Sequence, residues 1–491
     1  MSDEIQEQES AERIRYPELP SEIAGPRFGF KGALLVFGPG VIVASSTIGS
    51  GELIFSARGG AVFSYAIMWT FVVAAAAKFA MVYATNRYMV VTGENPMHRW
   101  AVQFPGPRGW FPMLIGLISV VSFPSWAGGL STAIGQLMPQ MTGIGAGASA
   151  GQWWATGLLL LAGVLAWTGS YDRMEKAQTV IVGLMIVAVA VSMFALTPDW
   201  LGALGGLIPQ LPAYDTWVAT DYPDIASRPI WLEIATYLGA IGGGVYDYVG
   251  YSGMLREKKW GLLGYERTSD LRERFLALPK GSRLPLSDDA EDVRTAKKWQ
   301  RAPFGDTLLS FAAVTVLAIM FAINGAALLH EQRQVPEGEE TLLHQAQFLT
   351  TLSPALEYLY YVGVFFAFFG TLYALWEIYS YTTYETLGAV FPKIRRGGVA
   401  LVRRYLYPYV AIAGVALIWT VGELVAIVTP ASVLGGVLGC GLFALALLWT
   451  EKAMLPEAYR MRPAMRWYVL VAGILLTVLG IVSVYELVAG L

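Results

Sequence analysis

The sequence has one cysteine, three histidines and few charges, with Asp, Glu, Lys and Arg together making up 14% of 491 residues. Each scarcity excludes something. A single cysteine, Cys440, rules out a disulfide framework and, set in an apolar run, reads as a packing residue. His98, His330 and His344 fall in expected loops without cysteines beside them, so none reads as part of a metal cluster. Soluble proteins carry about one quarter charged residues, so most of this chain is too apolar to face water. A Walker A loop, a nucleotide-binding glycine fingerprint and a GxSxG elbow are also missing. The chain therefore reads as a non-enzyme with no cofactor. Any work it does must draw on an ion gradient or on its substrate's own gradient. A net charge of -3 carries no signal for nucleic acid, and no such partner is expected.

What is present is hydrophobic sequence, 55% of the chain. At about 20 residues per bilayer crossing, it divides into about eleven spans. They lie near residues 32–57, 61–87, 112–138, 152–169, 177–196, 231–254, 306–329, 357–387, 406–428, 431–450 and 467–489. The expected fold class is an all-α polytopic membrane protein. Residues 1–30 read as a polar tail without the apolar core of a cleavable signal peptide, and 31–491 as the membrane domain. Basic residues gather in the loops of one side: Arg87, Arg99 and Arg108, then Arg173 and Lys176, the long loop 256–303, and segments 393–404 and 452–466. Acidic residues mark the other side, among them Asp199, Asp215, Asp221, Asp224, Glu331 and Glu337. The positive-inside rule then puts the N-terminus in the cytoplasm of a cell (inner) membrane. Loop 256–303 reads as a solvated connector with a short surface helix.

Two spans are interrupted. Segment 38–58 reads GPGVIVASSTIGSGELIFSAR. Gly49, Ser50 and Gly51 loosen a helix there. Glu52 puts a carboxylate at mid-depth, where a charge is costly and usually faces a cavity or a partner. Span six repeats the idea, with Gly242, Gly243 and Gly244 followed by Tyr246, Asp247, Tyr248 and Tyr251. Asp247 lies seven residues before Met254, about 10 Å along a helix, deeper than an interfacial belt requires. Backbone freed by such breaks coordinates ions and substrates in secondary transporters. The expected substrate-binding set is Gly49, Ser50, Glu52, Gly243, Tyr246 and Asp247, with Glu52 and Asp247 as candidate metal ligands. Five spans per half would invert the second half on the first, giving repeats near 31–197 and 228–451 and an extra helix near 466–490. Arg58 reads as the outer end of span one. Asn324, Glu377 and Glu423 each read as lining a pathway or as meeting a local polar partner.

The residues resemble a known family. GPGVIVASSTIGSGE is similar to the first helix of the natural resistance-associated macrophage protein (Nramp) family of proton-coupled divalent-metal transporters, in which a GPG precedes a DPGN metal site. The TGEN of residues 92–95 resembles that family's end of helix two. The charged stretch 171–176 resembles the start of its later helices, and Asp306-Thr307 with Asn324 its helix seven. The resemblance implies a LeuT-like transporter fold with inverted five-helix repeats and broken helices one and six. It also exposes departures. Gly49 and Glu52 stand where the family has its metal-binding Asp and Asn. Tyr246 and Tyr248 stand where it has Met and His, and Gly129 and Thr132 where it has helix-three acids. An oxygen-rich site without a thioether suits Mg²⁺, another hard cation or an organic cation better than Mn- or Fe-type metals. The expected partners are thus a small cation or small solute and the lipid bilayer. A sodium-coupled carrier of an organic solute, or a non-transporting sensor, remain alternatives.

Overall fold

The computed structural model describes residues 16–25, 28–36, 48–145, 147, 149–169, 172–265, 271, 274–336 and 341–489. Among them no strand occurs. Eight helical stretches are long and apolar enough to cross a membrane: Gly51–Thr92, Trp110–Thr142, Ala150–Thr168, Ala290–His330, Pro354–Val390, Pro392–Thr420, Leu424–Met454 and Pro463–Ala489. These carry expected spans two, three, four and seven to eleven. The other three spans are accounted for differently. Span five is the helix Asp172–Ala195. Span six fails on length because it is split into Ile230–Ala240 and Val245–Met254. Span one is described as Phe30–Val36 and then from Ile48 onward; the intervening 37–47, which hold the GPG, lie outside the described residues.

Local chemistry sets the helix ends. Span two, Met68–Thr92, stops at Gly93, whose left-handed φ of 72° lets its N–H reach the Met89 carbonyl at 2.7 Å. Two residues on, the Asn95 side chain accepts from the Met97 N–H at 3.0 Å and starts the helix Pro96–Gln103, with proline in its first turn. The TGEN motif is therefore a stop and a start. Glu423 works in the same way: its carboxylate accepts from the N–H groups of Val425 and Ala426 and caps the helix Leu424–Ala431. Glu377 pairs with Arg403, and Asn324 donates to the carbonyls of Met320 and Val189 at 2.9 and 3.3 Å. Each of the three thus has a local partner.

The basic side departs from expectation. Loop 256–303 contains the expected short helix, Ala290–Trp299, but it is no solvated connector. Leu263, Phe275, Leu284, Leu286 and Trp299 are buried. Arg99 donates to the Phe275 carbonyl at 2.7 Å, Gln103 to the Pro279 carbonyl at 3.0 Å, and the Leu284 N–H to Met454 at 2.9 Å. Its scattered apolar residues anchor it as a cap over the bundle end. Residues 16–25 join this cap, with Trp299 donating to the Pro17 carbonyl and Arg301 to that of Gly25. Arg87 and Arg99 are buried, paired with Glu451 and Glu94, and are not free loop charges. The histidines also leave their expected loops. His98 is buried in the helix Pro96–Gln103, His330 closes the wide turn Gly325–His330, and His344 lies in the helix Thr341–Thr350.

Candidate functional site

The site starts from the break in span six. Ile241 leaves the helix in an extended conformation. Gly242 and Gly243 follow with φ of 76° and 84°, a region glycine enters at little cost. The chain re-enters the helix through Gly244, whose N–H is accepted by the Asp247 carboxylate at 2.7 Å. Asp247 thereby caps the second half of the span and puts a negative charge at its N-terminus. Four residues of non-helical backbone, 241–244, in the middle of a membrane protein leave carbonyls without helical partners, and these must find others.

The partner is Lys78, in the middle of span two. Its ammonium donates to the carbonyls of Gly239, Ile241 and Gly243 at 2.9, 2.5 and 2.6 Å. Three N–H groups meet three carbonyls, so the cation is held by oxygen alone, as a bound metal ion would be. Tyr248 adds its hydroxyl, which donates to the Gly242 carbonyl.

Span one brings the second carboxylate. Its Ile48–Phe55 segment is wound as a wide π-helical turn that runs into the helix Ser56–Phe63. The expected loosening at Gly49–Glu52 thus takes the form of an enlarged turn in the described part, which keeps the backbone paired while bulging toward its neighbour. Gly49 and Ser50 open this turn, and their surroundings lie outside the described residues. Gly51 abuts span six so closely that a β-carbon would fall 2.2 Å from the Ala240 carbonyl oxygen. That approach carries Glu52 to the break, where one carboxylate oxygen accepts from the Gly242 N–H at 2.9 Å.

Glu52, Lys78 and Asp247 are all buried, and their charges act on one another. Glu52 Oε2 and Asp247 Oδ1 have no hydrogen-bond partner among the described residues. A buried carboxylate oxygen without a donor is costly, and native proteins rarely leave one idle. Among the described residues, no three His, Cys, Asp or Glu side chains gather as a metal cluster.

Of the expected site residues, Glu52, Gly243 and Asp247 meet at this break. Tyr246 lies one residue from Asp247, but its hydroxyl is engaged elsewhere. It accepts from Trp126 at 2.5 Å and donates to the Ala431 carbonyl at 3.3 Å, and its ring stacks on Tyr379 at 5.1 Å. Lys78 is not among the expected site residues. Its signal was plain: a lysine deep in an apolar run. Cys440, assigned to packing, is buried with its thiol on the Gly435 carbonyl at 3.4 Å, within electrostatic reach of Lys78 and Asp247.

A second buried charge set lies along the same two spans. Arg58 is fully buried and donates to Glu233 at 2.7 Å and to the Tyr237 hydroxyl at 2.6 Å. It does not mark the end of span one; it ties that span to the first half of span six. At the other end of span six, Glu385 of span eight receives Arg256 at 2.6 Å and lies 3.2 Å from His98.

A helical membrane bundle whose sixth span opens around buried charges defines a transporter of the LeuT fold, not an enzyme. Residues 40–486 match the family model described as natural resistance-associated macrophage protein-like, and the chain belongs to that family. As a member it is a membrane transporter of the metal-cation type. Among solved structures it is similar to the Eremococcus coleocola manganese transporter in complex with an aromatic bis-isothiourea substituted compound. That match has 14% identity and a TM-score of 0.62, covering 96% of this chain and 90% of that one. It is also similar to MhsT in complex with L-phenylalanine, with 14% identity, a TM-score of 0.53 and coverage of 91% and 98%. At such identities the likeness shows the fold alone. No curated protein matches the chain in sequence.

Proposed function

We propose that the protein is a secondary transporter carrying a hard cation through the break in span six. Glu52 and Asp247 are the charged ligands, Gly243 and the wide turn at Gly49 and Ser50 supply backbone groups, and Lys78 is a tethered placeholder. One observation carries this reading: an ammonium already sits where three freed carbonyls converge, within electrostatic reach of two carboxylates that each keep an oxygen without a donor among the described residues. Carbonyls that hold one cation are arranged to hold another. Two carboxylates and one ammonium leave one negative charge in the site when all three are ionised. A divalent ion therefore binds with favourable charge balance once Lys78 has swung away. Oxygen donors of this kind suit Mg²⁺, and also Ca²⁺ and Mn²⁺, and give no thioether preference for softer metals.

The ion pairs on either side of the site would act as gates: Arg58–Glu233, between spans one and six, on one side, and Arg256–Glu385–His98, drawn from loop 256–303, span eight and the helix Pro96–Gln103, on the other. Alternating access would come from rocking of the repeats, near 31–197 and 228–451, with the N-terminus in the cytoplasm of the cell (inner) membrane. A second reading, a small organic cation, is favoured by the aromatic wall of Tyr246 and Tyr379 beside Asp247.

Purified protein in liposomes, given Mg²⁺, Ca²⁺ or Mn²⁺ outside and a metal-sensitive dye inside, tests the proposal. Uptake of at least one ion is expected, falling about tenfold or more in Glu52→Gln, since the lost charge is a ligand. Absence of all three fluxes from folded protein would sink the metal reading and leave the organic cation.

A further inference from the structure

Away from the transport site, an open cavity of about 730 Å³ lies at the basic end of the bundle. It is bounded by the end of span two, the short helix Ala290–Trp299 and the first turns of spans seven and eleven. Seven of its fourteen lining residues are Lys or Arg and none is acidic. Such a one-signed concavity is unfavourable by itself, because like charges repel at short range.

The seven cations divide into three groups. Arg87 is neutralised by Glu451. Lys298, Arg301 and Arg460 are steered by backbone carbonyls instead: Lys298 by Ala24 at 3.3 Å, Arg301 by Gly25 at 2.6 Å, and Arg460 by Leu455 at 3.0 Å. Carbonyls orient these groups without cancelling their charge. The side chains of Arg294, Lys297 and Arg462 make no ion pair or hydrogen bond among the described residues. Among the described residues, the cavity is thus built, oriented and uncompensated.

The apolar surroundings identify the ligand. Phe304 and Met465 line the cavity on the first turns of two membrane helices. Phe304 is 40% exposed. Exposed aromatics at the mouths of spanning helices mark the level of the lipid headgroups. A soluble anion would need the basic wall alone; a phospholipid would also use these apolar flanks for its acyl chains. We propose that this cavity is a headgroup site for an anionic phospholipid, whose phosphodiester is held by Arg294, Lys297 and Arg462 against the fixed Arg301 and Arg460. The bound lipid would join the cap to spans seven and eleven. Nothing in this inference depends on which cation is transported.

The test is native mass spectrometry of the full-length protein in detergent, titrated with dioleoyl phosphatidylglycerol or dioleoyl phosphatidylcholine. The anionic lipid is expected to bind about tenfold or more tightly, given several basic side chains at the headgroup level. The variant Arg294→Gln/Lys297→Gln/Arg462→Gln should lose most of that preference at an unchanged melting temperature, because the three side chains hold nothing else in place. Equal binding of the two lipids, or an unchanged preference in the variant, overturns the proposal. So does displacement of the lipid by millimolar inorganic phosphate, which would make this a soluble-anion site.

Discussion

Spans one and six meet twice, and the two meetings differ in kind. At one, Arg58 and Glu233 close on each other at 2.7 Å with Tyr237 as a further acceptor for the guanidinium. At the other, six residues earlier on span one, Glu52 faces the break near Lys78 and Asp247. There the ammonium is given to backbone carbonyls while Glu52 Oε2 and Asp247 Oδ1 go without donors among the described residues. Both sets are buried and both mix acid with base. In the first the acid and the base meet directly, and so it works as a clasp. The second keeps acceptor capacity in reserve, at a cost in stability that a structural cluster would not retain. The difference separates holding the bundle shut from receiving a cation.

The largest effect expected from breaking this comparison is on the clasp. Glu233→Ala strands a buried guanidinium and should cost about 3–5 kcal/mol, seen as a lower melting temperature in detergent. Replacing both partners by methionine should recover most of that loss, since an apolar pair leaves no buried charge. Glu52→Gln should give the opposite signature. Cation flux should fall about tenfold or more, while stability stays within about 1 kcal/mol of the wild type, because the amide keeps the shape and sheds an uncompensated charge. If Glu52→Gln unfolds the protein, or Glu233→Ala spares stability and stops flux, the two sets have been assigned the wrong way round.

Lys78 sharpens the comparison further. Lys78→Met takes the placeholder out and leaves the carbonyls of Gly239, Ile241 and Gly243 to be satisfied by something else. Stability should fall by about 1–3 kcal/mol for the carbonyls left unpaired. Added Mg²⁺ should then restore it, because a ligand bound only to the folded state stabilises by mass action. The readout is a melting temperature that rises more steeply with Mg²⁺ in Lys78→Met than in the wild type, where Lys78 competes for the same carbonyls. A variant that melts early and ignores every cation would reduce Lys78 to a structural cap.

Much of this arrangement was legible in the sequence where it depends on neighbours along the chain. Three consecutive glycines before an acid foretold the break in span six, because left-handed backbone needs glycine and the re-entering helix needs an N-terminal acceptor. Glu52 was legible as a charge too expensive to place in hydrocarbon without a purpose. What depends on distant partners was not legible. Arg58 looked like a boundary residue, and its acid lies 175 residues away. Lys78 carries a burial cost like that of an acid, but its carbonyl partners lie more than 160 residues away and leave no local pattern. The cap over the basic end was mistaken for a connector because its anchors, such as Phe275 and Trp299, are spread among charges and show no helical period.

The smallest effect comes from the two tyrosines that flank Asp247. Tyr248 donates to the Gly242 carbonyl, at the break itself; Tyr246 is held by Trp126 and Ala431, away from it. In Tyr248→Phe one polar group is lost from the cage, and that carbonyl must turn to the cation or go unpaired. A single hydrogen bond of about 1 kcal/mol corresponds to a several-fold change in apparent cation affinity, with folding little altered. In Tyr246→Phe the Trp126 indole loses its acceptor, so a similar amount should appear in stability while affinity stays put. Paired measurements of melting temperature and of half-saturating cation in liposomes separate the cases. Should both variants shift affinity alike, the stacked Tyr246–Tyr379 pair belongs to the substrate wall, and the site is wider than the oxygen cage.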